Sequence, residues 1–292
     1  MRSFLPLFRP IAVFLAVGLV SSLALAFVPD LAAEGRTAQR ALENIRTFFL
    51  FDYGMTKVQF FPVWHVVWAS FAYTAVLVFG GILLTVGISL FLAVIRELSN
   101  DSLVLGSIDT LLRLASGVPV VVWASVGLLL SFHFAATVPT PELWSDGSPG
   151  LRALVLGIPV LVLAMGDGIL AGTLDRLRSV ARTLGQSDAM IALRARGLNP
   201  LPYLLRGLVP AVADEVASRA TLLVGAAVVV EVVFNWRGVG WQILEALRVD
   251  GGKDYPLILA SVTVLMIMVL LLHALRDVVW ALSDPRARER LG

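Results

Sequence analysis

The chain has 292 residues, 58% of them hydrophobic, with a mean hydropathy of +0.86 and a formal charge of +2. Soluble domains hold about 45–50% apolar residues, so this is the composition of an integral membrane protein with no room for a large soluble catalytic domain. The lack of cysteine excludes disulfides and thiolate metal sites, and the small net charge argues against nucleic acid as a partner.

Taken in chain order, the first apolar run is Ile11–Val28, which follows Arg2 and Arg9. It reads as a signal peptide or as a span. At about 18 residues it exceeds the 7–15 of a signal core, which favours the span. The loop Pro29–His65 balances Arg36, Arg40, Arg46 and Lys57 against Asp30, Glu34, Glu43 and Asp52. Its middle, TAQRALENIRTFFLF, is amphipathic and either lies along the outer interface or forms an ordinary loop helix. Further spans are predicted at Val66–Ile95, Ser107–Phe134, Leu151–Leu174, Ala217–Phe234 and Leu257–Leu282. The expected fold is an all-α membrane protein of about six spans. It forms a single transmembrane domain over 1–292, with the first span and loop at 1–65 and the core at 66–288.

Charge orients these spans. Arg176, Arg178, Arg182, Arg194, Arg196 and Arg206 crowd the fourth connection, and Arg286, Arg288 and Arg290 close the chain. By the positive-inside rule these regions and both termini face the cytoplasm. Within the connection, SDAMIALRARG predicts a short helix with Ser187 or Asp188 as N-cap and Gly197 near C′. So short a helix needs a partner surface. Met190, Ile191, Leu193 and Leu198 supply an apolar face, and Arg194 and Arg196 a basic one. On charge alone the segment equally fits a solvated loop.

Gly197 is followed thirteen residues later by Pro210, with Ala192 ahead of the glycine. This resembles the EAA motif of ABC transporter permeases, Glu-Ala-Ala, three residues, Gly, then Pro at this distance. The wider segment RSVARTLGQSDAMIALRARGLNPLPYLLRGLVPAV is similar to the cytoplasmic loop of the dipeptide/oligopeptide/nickel permease family, where a segment ending ARAKGL is typical. VVVEVVFNWRGVGWQILEAL (228–247), DYP (254–256) and SDPR (283–286) extend the resemblance, which runs from about Tyr53 to Arg288. Ile191 stands in place of the motif's glutamate, Leu193 in place of its second alanine and Gly207 in place of a bulky apolar residue, while Arg237 replaces a frequent proline.

The resemblance implies an inner-membrane subunit that pairs with a second permease, docks two cytoplasmic ATPases and receives solute from an extracytoplasmic binding protein. The helix Asp188–Gly197 would then be the coupling helix, between spans four and five. Arg194 and Arg196 would contact an ATPase groove, Ala192 and Ala195 would permit close approach, and Gly197 would let the chain turn. ATP would be bound by the partner ATPases, this chain holding no cofactor.

Two carboxylates fall at membrane depth, Asp167 in AMGDGIL and Glu231 in VVVEVVF. Ionisable groups there cost at least about 2.5 kcal/mol on insertion scales, so each marks a translocation-pathway group or a structural hydrogen bond between helices. His65, His133 and His273 show no metal-ligand spacing, and Trp64, Trp68, Trp144, Trp236 and Trp241 read as an aromatic belt at the interfaces. The nearest approach to a phosphate-binding loop is GGKD at 251–254, which lacks the first glycine and the hydroxyl residue, so the chain is expected not to be an enzyme. An ion-coupled secondary transporter using Asp167 or Glu231 is the alternative function, and a membrane anchor for a soluble complex a third. The Arg-rich helix is unexplained by the former and the buried acids by the latter.

Overall fold

A computed structural model describes residues 12, 14–20, 22–23, 37–57, 60–98, 103–135, 140, 149–248 and 254–283. Regular structure among these residues is helical. We label the helices α1 (Thr37–Leu50), α2 (Val63–Leu98), α3 (Leu103–Ser116), α4 (Val120–Ala135), α5 (Pro149–Met165), α6 (Ile169–Gly185), α7 (Asp188–Ala195), α8 (Leu201–Val233), α9 (Val239–Arg248) and α10 (Tyr255–Ser283). Apolar residues surround the long helices on all sides, as expected where the solvent is hydrocarbon and each helix satisfies its own backbone.

Four stretches are long and apolar enough to cross a membrane: α2, the pair α5–α6, α8 and α10. A fifth arises if the bent pair α3–α4 counts as one. The predicted single span Ser107–Phe134 is corrected: its two halves meet at 106° across Gly117, Val118 and Pro119. Proline has no N–H to continue the ladder and disfavours helical geometry at the residue before it, so the break falls where the apolar run showed none. The helix that carries the predicted span Ala217–Phe234 begins sixteen residues earlier, because α8 runs from Leu201 to Val233. Asn199 accepts the Leu201 N–H at 3.0 Å on its side-chain oxygen and starts the helix there. Most of the first predicted span and the arginines at 286, 288 and 290 lie outside the described residues, as does Trp144; residues 14–20 are helical.

The chain divides into two compact units, residues 1–74 with 237–271 and residues 75–236 with 272–292. In the first unit, α1 buries Phe48 in a core with Tyr53, Val63, Val67, Val239 and Leu257. The Tyr53 hydroxyl lies 3.0 Å from Thr263 Oγ1; burial pushes its pKa above 10.0, and the Thr263 hydrogen bond pulls the other way. Asp254, fully buried, accepts the Lys57 N–H at 2.7 Å and the Leu257 N–H at 3.4 Å, which caps α10. Trp64 donates to the Phe51 carbonyl at 2.7 Å and stacks on Trp68.

In the second unit, α5 packs on α2 because Gly80 and Gly81 leave room: a Cβ there would stand 2.9 Å from Val160 and 2.8 Å from Leu163. Trp236, at 3% exposure, belongs to the core of this unit and not to an interfacial belt.

Candidate functional site

The short helix α7 is built by local code at both ends. Ser187, not Asp188, is the N-cap: its Oγ accepts the Met190 N–H at 3.3 Å and donates to the Leu184 carbonyl at 2.6 Å. At the other end Gly197 takes φ +65°, donating its N–H to the Arg194 carbonyl at 3.0 Å, while the Leu198 N–H reaches Leu193 at 3.0 Å. This pair of bonds is the Schellman arrangement, which needs a left-handed residue at C′ and so glycine for preference.

Met190 seats the helix. Its side chain is fully buried among Leu177 and Ala181 of α6, Leu204 and Leu208 of α8 and Ala93 of α2. The expected apolar face is corrected, since Met190 alone of its members is buried, while Ile191 is 57% and Leu198 52% exposed. Ala192, Arg194, Ala195, Arg196 and Gly197 are exposed as well. Of the two arginines, Arg194 reaches Glu97 at the end of α2, with Nη2 3.4 Å from Oε1. Pro210, the distal member of the motif, lies inside α8, a turn beyond Arg206.

Beside this seat, a charged cleft of about 370 Å³ runs between α2, α3 and α6. Asp109 of α3 pairs with both Arg96 and Arg178, and Arg113 pairs with Asp175 at 3.0 Å. Arg178 and Asp109 are nearly buried, so Arg178 ties helices together as well as adding to the positive charge of the connection.

Asp167 occupies the break between α5 and α6, in a single 3₁₀ turn, Gly166–Gly168. Its Oδ1 accepts the Val120 N–H at 3.1 Å, so it caps α4 from another helix, and its own N–H donates to Val118 at 3.4 Å. Asp167 stands at φ +52° and Gly168 at φ +70°. A Cβ on Gly166 would meet Val120 at 2.7 Å, and one on Gly168 the Ser116 carbonyl at 3.2 Å. The sequence Gly-Asp-Gly thus lets two broken helices touch backbone to backbone. Asp167 is exposed in the single chain; Glu231, the other predicted acid, is fully buried in the last turns of α8. Its backbone carbonyl accepts the Trp236 N–H at 2.8 Å, closing α8 with Asn235 at φ +51°. Asp167 and Glu231 are not brought together with α7.

Sequence reading missed Glu97, Glu215 and Arg219. Glu215 and Arg219 form an ion pair one turn apart on α8. An acid four residues before a base is a recognisable helix signal, here hidden because the span was started at Ala217.

The fold is that of an all-α membrane protein, with a short capped helix between two of its long apolar stretches. The chain belongs to the family of binding-protein-dependent transport system inner membrane components, whose model matches residues 85–289. It is 28% identical over 224 residues, 74% of this chain and 68% of the relative, to a candidate peptide permease of Brucella suis biovar 1. It is 29% identical over 146 residues, 48% of this chain and 39% of the relative, to the di/tripeptide transport system permease DppB of Pseudomonas aeruginosa. With the nickel import system permease NikB of Staphylococcus aureus it shares 28% over 143 residues, 46% of this chain and 41% of the relative. The alignments thus span less than half the length of the last two relatives.

Proposed function

We propose that this chain is the membrane-spanning permease subunit of an ATP-driven importer and forms half of the translocation pathway for peptides or similar small solutes. The supporting observation is α7: a short helix held from below by Met190, with Ile191, Ala192, Ala195, Arg196 and Leu198 left outward. Exposed apolar residues on a basic element outside the spans suit docking to a soluble partner. That partner is a pair of cytoplasmic ATPases which bind and hydrolyse ATP, this chain carrying no nucleotide site. A second, homologous permease and an extracytoplasmic binding protein complete the assembly. By the positive-inside rule, the arginines of the fourth connection and those near the two ends of the sequence support a cytoplasmic side of the inner membrane for α7 and both termini.

In this reading Ile191, Ala192, Ala195 and Arg196 meet the ATPase, while Arg194 holds α7 to α2 through Glu97 and Asp188 supports its first turn. Gly197 sets the exit of the chain, and Pro210 a joint in α8. Asp167 serves the α4 break ahead of solute contact, since its carboxylate already holds Val120. Glu231, buried beside the turn that ends α8, serves helix packing.

Purification from native membranes in mild detergent tests the proposal. The wild-type chain is expected to bring two ATPase polypeptides and a second permease, and uptake in vesicles is expected to stop on ATP depletion. Uptake that stops only when the proton gradient is collapsed would sink the ATP-driven reading in favour of the ion-coupled one.

A further inference from the structure

Within the larger unit, α2, α8 and α10 enclose an apolar groove of about 320 Å³. Phe79 lines it from α2, Val209, Val212 and Val216 from α8, and Leu275 from α10. Arg276 is its one charged lining residue among the described residues. Phe79 is 51%, Val209 47% and Leu275 55% exposed, so the groove opens outward. Each of the three helices carries a stretch apolar enough to cross a membrane.

The end of α10 sets the level at which the groove stops. From Tyr255 to Leu275 that helix has no acidic or basic residue; Arg276 is the first and Asp277 follows it. One turn on, Trp280 is 43% exposed and donates its indole N–H to Asp214 of α8 at 2.8 Å. An apolar run that ends in an arginine and a half-exposed tryptophan is the composition of a helix leaving hydrocarbon for the headgroup layer. The groove therefore starts beside the apolar Phe79 and reaches headgroup level at Arg276. Its leaflet is the one on the α7 side, because Leu208, another lining residue, also seats Met190.

The two faces of α8 differ in what they suit. Val209, Val212 and Val216 stand half a turn of azimuth away from Ser218, Thr221 and Gly225, all three of which are exposed. Small and polar residues at a helix surface admit another helix at close range, whereas a uniformly branched and aromatic groove suits flexible hydrocarbon. Arg276 adds charge complementarity. Among the described residues its Nε and Nη2 bond Asp277 at 2.9 and 2.7 Å, which fixes the guanidinium and leaves Nη1 for a phosphate oxygen.

We propose that this groove is a phospholipid site: an acyl chain lies along Val209, Val212 and Val216, and the lipid phosphate meets Arg276. The inference goes beyond the transport reading and needs only that α2, α8 and α10 are membrane helices. Since Val209 and Val212 flank Pro210, the bound chain braces α8 on both sides of its interior proline.

The test uses the whole assembly in liposomes doped with a phosphatidylglycerol that carries a diazirine on one acyl chain. After irradiation, adducts are mapped by peptide mass spectrometry. Adducts on 205–216 and 272–279 are expected to exceed those around Leu129, a 69% exposed residue of α4 outside the groove. Ala213→Phe, which fills the groove, should bring them down to the Leu129 level and leave Leu129 unchanged. A diacylglycerol with the same diazirine chain but no phosphate should label the groove about fivefold less, the weight of one arginine near a charged headgroup. Arg276→Gln should lower the phosphatidylglycerol signal to that level, and Arg276→Lys should keep it.

Groove adducts no more frequent than those at Leu129 mean passing boundary lipid and overturn the site. Groove peptides without adducts mean that protein covers the face, and overturn it too. Adducts that persist in Ala213→Phe do the same, and if that variant fails to accumulate, Leu275→Trp fills the groove from α10 and decides by the same ratio. Equal labelling by the two lipids overturns the phosphate contact at Arg276. ATP-dependent uptake is measured separately: intact uptake with an unlabelled groove removes this inference alone and leaves the permease reading standing.

Discussion

The chain leaves helical geometry at two instructive places in its larger unit, the α5–α6 break at Gly166–Gly168 and the α6–α7–α8 connection. The first is closed from within: Asp167 caps Val120, and Gly166 and Gly168 press against the α3–α4 break. The second is closed on one side only, with Met190 buried and Ile191 and Leu198 left outward. Both spend glycine on a left-handed residue, at Gly168 and Gly197. A break whose polar groups are satisfied internally is a joint of the scaffold, whereas one that holds apolar side chains outward leaves a face on which the proposed partner would dock.

The sharpest test of this contrast is Met190→Ala. Removing a fully buried methionine should cost about 2–5 kcal/mol locally and release α7 from its seat. Protease cleavage within 186–200 should rise while the spans stay protected. Gly166→Leu comes next. Overpacking against Val120 should cost about 1–3 kcal/mol, read as a lower midpoint of thermal unfolding in detergent. Asp167→Ala removes one helix cap and should cost about 0.5–2 kcal/mol by the same measurement. Ile191→Glu should change stability by less than about 0.5 kcal/mol, the side chain being more than half exposed. It should nevertheless abolish recovery of the ATPases, and full recovery would erase the difference between the two breaks.

The sequence made some of this legible and hid the rest for physical reasons. Long apolar runs announced α2, α8 and α10, because a helix in hydrocarbon must be apolar all round. Ser187 and Gly197 marked the ends of α7, because caps are read from one or two residues. Pro119 in the sequence fits a kinked helix, but the size of the α3–α4 bend stayed hidden because apolarity is uniform across Val118–Pro119–Val120. Met190 and Ile191 are adjacent and equally apolar, so only tertiary packing separates the buried residue from the exposed one. Asp167 looked like an acid at membrane depth; that its carboxylate serves the N-terminus of α4 depends on a contact 47 residues away in sequence.

One feature of α8 bears on how force moves through the molecule. From Leu201 to Val233 it is a single rod, and Pro210 is its one interior proline. Proline there frees the Arg206 carbonyl from its ladder partner and makes that turn softer in bending than the turns around it. The foot of the rod shares the Met190 seat through Leu204 and Leu208, so under the proposed docking a push on α7 would arrive just below the soft turn. From Pro210 to Phe234 the arm is about 36 Å long, and a tilt of about 5° would carry its far end through about 3 Å. A mechanical engineer would recognise a lever with its pivot set close to the input, an arrangement that trades force for travel.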